Sequence, residues 1–406
     1  MGIFDTIHRM MSYLFRRDGE SPSGLLAAAG GGDTGVAVTR ETAMEVATVM
    51  AAVNCIVQDI GQIPLELWDE RTTAAGNVVQ HRATWAQEYR LFAQGPNSYQ
   101  TAQQWREHVA YHTLIWGDYY AHKRYVGGYI DELHPVEDPS RVQVKLEDGH
   151  RQYTLLSAAA GLEKGTYGDE TIFHVAGPSP DGYRGRDIAT THRQTLGLAL
   201  ALLQYGSTFF FNGAMPGGIL VMGQGTTDAQ AREAADLFEQ RYGGRNRGRI
   251  AAFRFGTEFK TISTDPEKSQ ALESKRQSAE DLAAALRVPE WRIRQQTPPS
   301  HQAWRDYVVF TLGPLMERIR AASEKGLLAR PAGPPAPRLY LYWDYERLLE
   351  MDFPAQIAAY KQAIDARILN PNEVRERLGY NPYDSGDAFV NPYTTRFDDP
   401  NTQGGG

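Results

Sequence analysis

The hydrophobic pattern of the first 190 residues mixes helical and strand periods. Apolar side chains recur every three to four residues in Glu41–Ile60, at Ala43, Val46, Ala47, Met50, Val53, Ile56, Val57 and Ile60, which predicts one amphipathic helix. Pro64 ends it, and the alternation in Leu65–Trp68 predicts a strand. The same patterns predict a helix at Ala102–Trp116 and strands at Tyr119–Tyr125, Val142–Leu146, Tyr153–Leu156 and Thr171–Val175. Residues 38–188 are therefore predicted to form a mixed α+β domain.

Two long helices are predicted to follow, with a small α/β insert between them. The first begins near Ile188 and ends at Asn212-Gly213, a typical C-terminal signal. The second begins at Asp265-Pro266 and ends before Pro289. The insert is predicted to contain a helix at Thr227–Tyr242 and strands at Gly218–Met222, Ile250–Phe255 and Phe259–Ser263. Each long helix would span roughly 30 Å. We expect the two to run antiparallel and to hold the insert at the end of a stalk.

The last quarter of the chain is predicted to be mainly helical. Turn-forming residues predict a loop at Trp291–Pro299, followed by a helix over His301–Leu328. A proline-rich linker then leads to a strand at Leu339–Trp343. Two further helices are predicted at Pro354–Ile368 and Pro371–Leu378, before an irregular tail.

The N-terminus carries an amphipathic pattern of its own. Apolar residues between Ile3 and Phe15 lie at helical spacing beside Arg9, Arg16 and Arg17, and a Gly/Ser/Ala-rich linker follows up to residue 37. Such a helix fits docking on its own assembly or, alternatively, binding to a membrane surface. No transmembrane helix is predicted, because the most apolar stretch, Leu196–Phe211, is too short and too interrupted.

Composition and charge narrow the function classes. The 406 residues are 42% hydrophobic and 22% charged, which is ordinary for a globular protein, and the formal net charge is −7. An acidic chain is a poor candidate for wrapping DNA tightly. The single cysteine, Cys55, excludes a disulfide scaffold and is predicted to be a buried core thiol.

Motifs for catalysis or cofactor binding are missing from the sequence. There is no P-loop, dinucleotide fingerprint, nucleophile elbow or His-Glu-x-x-His zinc motif. His108 and His112 stand at i and i+4 on a predicted helix, but no third metal ligand is indicated. We therefore predict no enzyme activity, no catalytic residue, no bound metal and no cofactor.

Arginines are concentrated in two loops. Arg241, Arg245, Arg247 and Arg249 alternate with glycines in the insert, and Arg287, Arg292 and Arg294 surround the loop after the second long helix. Guanidinium groups suit phosphate or carboxylate partners, although a solvated turn is the alternative in both places.

Six short segments, in order, resemble the portal (head-to-tail connector) proteins of long-tailed bacteriophages. The resemblance runs from about Val36 to Asp387. Ala51–Trp68 resembles the family's first helix and strand. Residues 116–120 are similar to its Gly-Asn-Ala-Tyr turn, with Asp118 and Tyr119 departing from it. Arg287 replaces the glycine of its Gly-Val-Pro. The other matches are FHVAGPSPDGYRG at Phe173–Gly185, FNGAMPGGIL at Phe211–Leu220 and NPNEVRERLG at Asn370–Gly379.

The resemblance implies an α+β portal fold with named parts. Residues 1–37 would be an N-terminal helix and linker, and 386–406 an irregular tail. The parts between them would be a wing (38–188 and 301–353), two stem helices (189–213 and 264–288), a clip (214–263), a tunnel loop (289–300) and a crown (354–385).

The resemblance also implies a function. Subunits would form a ring, usually of twelve, at one vertex of the capsid, around a channel for double-stranded DNA. Expected partners are the terminase large subunit, the major capsid protein and scaffold, and the head-tail adaptor, with no small-molecule substrate. The protein would be assembled in the host cytoplasm and reside in the virion.

Site residues are expected in two loops. Arg292, Arg294, Gln295 and Gln296 are expected to approach DNA in the channel. Arg245, Arg247 and Arg249 are expected to face partners of the clip. The alternatives are a membrane-associated scaffold with an amphipathic N-terminal helix, or an enzyme without familiar motifs.

Overall fold

The computed structural model describes residues 34–72, 78–211, 218–221, 227, 232–233, 258–261, 265–328, 338–344, 353–378 and 380–389. The chain divides into two compact units, Met1–Trp343 and Asp344–Gly406. The N-terminal helix predicted between Ile3 and Phe15, the linker up to residue 33, the tail from residue 390 and most of the clip lie outside the described residues. Within the described part, no helix is long and apolar enough to cross a bilayer.

The first unit begins with two helices rather than the single one predicted for Glu41–Ile60. Helix α1 (Arg40–Glu45) is opened by a capping box between Thr39 and Thr42. Val46, with an extended backbone (φ −74°, ψ 106°), separates it from α2 (Ala47–Gln62). Val46 remains buried at the break, at 5% exposed.

Three small antiparallel sheets build the body of this unit. In the first, strand β1 (Leu65–Thr72) lies between β2 (Val78–Arg82) and the distant β11 (Arg338–Trp343). The pair β1–β11 joins the two sequence segments assigned to the wing, with Leu67 opposite Leu341. Helices α3 (Tyr89–Ala93) and α4 (Ala102–Ile115) follow β2, and α4 packs against α2.

The other two sheets come from residues 118–176. In one, β3 (Asp118–Val126) pairs with β4 (Tyr129–Pro135) and β8 (Ile172–Ala176). In the other, β6 (His150–Leu155) lies between β5 (Val142–Glu147) and β7 (Gly165–Tyr167). The facing side chains form a shared core of Tyr120, Val136, Val144, Tyr153, Leu155 and Ile172.

The predicted pair of long helices is present. After the short α5 (Ile188–Thr191), helix α6 (Arg193–Phe211) precedes β9 (Gly218–Val221), and β10 (Glu258–Thr261) precedes α7 (Asp265–Ala285). Strands β9 and β10 pair antiparallel, so the chain leaves and re-enters the stalk at one end. Helices α6 and α7 contact each other.

The region after α7 differs from its prediction in two places. The predicted loop Trp291–Pro299 begins with a helical turn, α8 (Glu290–Ile293). The predicted helix His301–Leu328 is divided into α9 (His301–Tyr307), a π-helical segment (Val308–Leu312) and α10 (Gly313–Leu327). Pro314 explains the π segment, because it has no N–H to donate and its ring would clash with the carbonyl of Phe310 in a regular helix.

The described part of the second unit, residues 344, 353–378 and 380–389, includes helices α11 (Phe353–Asp365) and α12 (Pro371–Arg377). A capping box between Asn370 and Glu373 opens α12. The Asn372 amide donates to the backbone oxygen of Tyr383 and accepts from its N–H, both at 3.0 Å. These bonds fold the segment after α12 back onto the helix.

Candidate nucleic-acid interface

The segment 289–300 is a compact turn with an exposed tip. Pro289 precedes α8, and the N–H of Gln296 donates to the carbonyl of Trp291 at 2.8 Å, which closes the turn. Gln295 has a φ of 52°, a left-handed backbone that few residues other than glycine adopt readily. Arg294, Gln295 and Gln296 are exposed, whereas Arg292 is not.

Arg292 binds the buried carboxylate of Asp59 on α2. Its Nε donates to Oδ2 at 3.0 Å and its Nη2 to Oδ1 at 2.5 Å. The Tyr307 hydroxyl also donates to Asp59 Oδ2, at 2.8 Å. The Asp59 side chain is 2% exposed and that of Arg292 is 24% exposed. Two-point pairing of this kind fixes the guanidinium in position as well as neutralising it.

An aromatic cluster packs around this ion pair. The rings of Trp291, Trp304 and Tyr307 lie 5.6–5.9 Å apart, centroid to centroid. The Arg292 guanidinium lies 5.8 Å from the Trp304 ring centroid. Burial, followed by the Asp59 charge, raises the pKa of Tyr307, so its hydroxyl remains a donor. The hydrogen bond to Asp59 raises the pKa of Arg292.

The charges of this segment are largely balanced within the chain. Arg292 is neutralised by Asp59, and Arg294 pairs with Glu290 at 2.6 Å on the exposed side of α8. An exposed pair of this kind is weak, so Arg294 can exchange Glu290 for another anion at little cost. The exposed tip therefore offers one exchangeable cation and two amides.

Arg287 stands where α7 ends and the segment begins. Its φ is 57°, its N–H donates to the Ala284 carbonyl and that of Val288 to the Ala283 carbonyl, both at 3.0 Å. This is a Schellman motif, in which the residue after the helix is usually glycine. The Thr311 hydroxyl donates to the Arg287 carbonyl at 2.6 Å and ties the turn to the π segment.

A second polar cluster lies between β3 and β8. His174 Nε2 donates to Asp118 Oδ1 at 2.8 Å, and the N–H of Gly185 donates to the same oxygen at 2.9 Å. Arg151 Nη1 lies 3.4 Å from His174 Nδ1, which must therefore accept. His174 is thus neutral, and burial lowers its pKa. With a side chain only 1% exposed, it serves the packing of the sheet.

In the predicted histidine pair, His112 is buried and His108 half-buried, and the pair is hydrogen-bonded to side-chain amides that the backbone fixes. The Asn97 amide group donates to the carbonyl of Leu133 and to Gln100 Oε1, so Gln100 Nε2 donates to His108 Nδ1. His108 Nε2–H then donates to His112 Nε2 at 3.0 Å, which leaves the His112 proton on Nδ1. Within the described residues, no group of three His, Cys, Asp or Glu is arranged to hold a metal.

Comparison with known proteins decides the family. Residues 47–379 match the family model described as phage portal protein. The chain belongs to the phage portal protein family. The predicted α+β portal fold, the function as a structural subunit of the portal at a capsid vertex, and the location in the virion are thereby confirmed.

Individual portal proteins are distant in sequence. The chain is 26% identical to the probable portal protein of Streptomyces phage phiC31 over 75% of its own length and 68% of the relative's. It is 23% identical to the portal protein of Enterobacteria phage HK97, over 87% and 83%.

Solved portal structures share the fold. An HK97-family phage portal protein from Corynebacterium diphtheriae has a TM-score of 0.56 at 16% identity, over 77% of this chain and 96% of that one. A chain from the neck of a native gene transfer agent particle, computed with C12 symmetry, has a TM-score of 0.52 at 21% identity, over 88% and 98%.

The structure brings two of the portal-like motifs into contact. Asp118, from the segment similar to Gly-Asn-Ala-Tyr, binds both His174 and Gly185 of the Phe173–Gly185 motif. The conformation at Arg287, where the portal pattern has glycine, is the left-handed one that glycine favours. The residues of these motifs thus serve the fold itself, through the Asp118 hydrogen bonds and through the turn at Arg287.

The predicted site residues of this portal protein separate into three groups. Arg294, Gln295 and Gln296 lie together at an exposed tip, and Arg292 lies beneath it in the pair with Asp59. Arg245, Arg247 and Arg249 lie outside the described residues.

Asp59 is a site residue that was not predicted from the sequence. A carboxylate on an apolar helix face beside Ile56 and Ile60 was a usable signal, because a buried charge requires a partner.

Proposed function

We propose that this portal protein assembles into a ring, of twelve copies as in the C12-symmetric neck that it resembles in fold, around a channel for double-stranded DNA. Membership of the portal family over residues 47–379 is the observation that carries this proposal. The ring serves as a structural channel and catalyses no reaction. Its partners are the terminase large subunit, the major capsid protein and scaffold, and the head-tail adaptor.

Segment 289–300 is the part proposed to meet DNA. The net charge of −7 and the internal pairing of Arg292 and Arg294 support a contact that does not hold the DNA. A channel that translocates DNA requires such weak contact, because each neutralised phosphate adds affinity through counterion release. Arg294, Gln295 and Gln296 are the contacting residues in this proposal, and Arg292 supports them from below.

Imaging of the purified full-length chain tests the ring. Negative-stain micrographs are expected to show rings with a central hole, and a monomer at high concentration would refute the assembly.

The amount of DNA packaged into particles tests the role of segment 289–300. Particles made with the triple variant Arg294→Ala, Gln295→Ala, Gln296→Ala are expected to protect less DNA from nuclease, with rings intact. Wild-type amounts of protected DNA would refute the DNA-contact role.

The clip arginines are proposed to dock the partners at the end of the stalk. Their alternation with glycines in the sequence supports an accessible basic turn. Replacing Arg245, Arg247 and Arg249 with Glu is expected to weaken capture of the terminase large subunit or adaptor by purified rings. Capture equal to that of wild-type rings would remove this assignment.

A further inference from the structure

A buried contact joins α2 to the segment proposed to meet DNA. Asp59 accepts three hydrogen bonds, two from Arg292 and one from Tyr307. Tyr307 belongs to α9, which begins just after the segment ends. One carboxylate therefore ties together the segment, the helix that follows it and the body of the protein.

A second group on α2 also contacts Arg292. Cys55 lies one helical turn before Asp59, and its thiol lies 3.6 Å from the Arg292 carbonyl oxygen. Burial raises the pKa of Cys55, so the thiol keeps its proton and can donate it to this oxygen. Helix α2 thus contacts both the side chain and the backbone of Arg292.

These contacts are confined to the first half of the segment. Arg292 makes the hydrogen bonds to α2, and Arg294, Gln295 and Gln296 beyond it are exposed. The Gln296 N–H bond to Trp291 couples this exposed tip to the anchored turn. The contacts with α2 that fix the turn therefore also fix the position of the exposed tip.

We propose that Asp59 is a positioning residue for the DNA-contacting segment 289–300, and that it acts by anchoring Arg292. This inference rests on the proposed function for its DNA-related part. The anchor keeps α8 on the body of the subunit, so that the three tip residues reach DNA from a fixed base. Asp59 itself, at 1% exposure, does not touch DNA.

Hydrogen–deuterium exchange on assembled rings of the full chain tests the anchor. Asp59→Asn is expected to raise exchange in peptides covering 290–296 at least tenfold, because Arg292 loses its counterion and one two-point contact. Cys55→Ala and Tyr307→Phe each remove one hydrogen bond but leave the ion pair intact, and each is expected to raise this exchange two- to fivefold. These milder variants keep the test decisive if Asp59→Asn does not fold.

Glu290→Gln is the matched control. It breaks the other ion pair of the same helical turn, which is exposed, and is expected to change exchange less than twofold. Unchanged exchange at 290–296 in Asp59→Asn, Cys55→Ala and Tyr307→Phe would overturn the anchor.

Nuclease-protected DNA in particles supplies the readout that a merely structural residue would not move. Tyr307→Phe and Asp59→Asn rings that assemble normally are expected to protect less DNA, as the triple tip variant does. If exchange rises while these rings protect wild-type amounts of DNA and the tip variant does not, the positioning role is overturned. If the tip variant also protects wild-type amounts, the DNA-contact proposal fails, and the exchange result alone decides whether Asp59 anchors the segment.

Discussion

Asp118 Oδ1 lies 2.8 Å from His174 Nε2, and the same oxygen accepts the N–H of Gly185 at 2.9 Å. One oxygen atom of Asp118 thus accepts hydrogen bonds from two residues that lie more than 50 residues later in the sequence. The His174 donor is buried and the Gly185 donor is half-buried, so the fold requires an acceptor at this position.

The geometry at Asp118 predicts which substitution is tolerated. Asparagine keeps an oxygen at Oδ1, so Asp118→Asn is expected to lower the free energy of unfolding by less than about 1 kcal/mol. Asp118→Ala leaves the buried His174 N–H and the half-buried Gly185 N–H without their acceptor and is expected to cost about 3 kcal/mol. Urea denaturation of the two variants measures the difference, and equal losses would contradict the role assigned to the oxygen.

Arg287 predicts a stabilising substitution. An L-residue in the left-handed region is strained, and glycine is the usual occupant of this Schellman position. Arg287→Gly is therefore expected to raise the free energy of unfolding by about 0.5–1 kcal/mol. Arg287→Ala keeps the strain and is the matched control. If both variants shift the urea midpoint equally, backbone strain is not the cause.

Burial of His112 predicts a loss of stability in acid. Desolvation, with a smaller contribution from His108, lowers its pKa from the ordinary 6.5 to about 3. Between these values the unfolded chain binds a proton that the native chain does not. The free energy of unfolding therefore falls as the pH falls from 6.5 towards 3, by up to about 1.4 kcal/mol per pH unit for this residue.

Thermal unfolding between pH 7 and pH 5 checks this linkage. His112→Gln is expected to be less stable at pH 7 but to lose less stability on acidification. A variant with the same slope against pH as the wild-type protein would show that His112 does not carry the effect.

Lys123 predicts the cost of removing a buried cation. Its ammonium group donates to the carbonyls of Asp169 and Gly326, and burial lowers its pKa. Lys123→Met removes the donor from both carbonyls and is expected to cost about 2 kcal/mol. The same substitution at the exposed Lys145 is the control, with an expected change within about 0.5 kcal/mol. Equal shifts of the urea midpoint would show that these two hydrogen bonds of Lys123 do not stabilise the fold.

The sequence predicted long elements well where one period dominates over many residues. Strand β3 and helix α4 were found because their apolar residues are regular and their ends carry turn or cap signals. Strand β4 was missed because Asp131 interrupts the apolar face formed by Tyr129, Leu133 and Pro135, and its pairing with β3 comes from the Gly127-Gly128 hairpin.

The candidate site was only partly predictable, for a physical reason. The position of segment 289–300 followed from Pro289, which indicates that the second long helix ends before it. The partner of Arg292 lies 233 residues earlier, and no local pattern encodes such a distance. An arginine in a loop therefore predicted an exposed cation, whereas long-range pairing with Asp59 makes it an anchor.

Two glycines predict opposite effects of one substitution. A Cβ at Gly185 would lie 1.9 Å from the Gly117 carbonyl oxygen, a backbone atom held by its own bond to Gly177. Gly185 and the start of β3 cannot move apart without breaking the hydrogen bond between Gly185 and Asp118. Gly185→Ala is therefore expected to cost about 3 kcal/mol or more. Gly206 lies inside α6, and a Cβ there would have nothing within 4 Å, so Gly206→Ala is expected to gain about 0.5–1 kcal/mol through helix propensity. Urea midpoints that move in the same direction for both variants would mean that the close approach at Gly117 is not what requires glycine at 185.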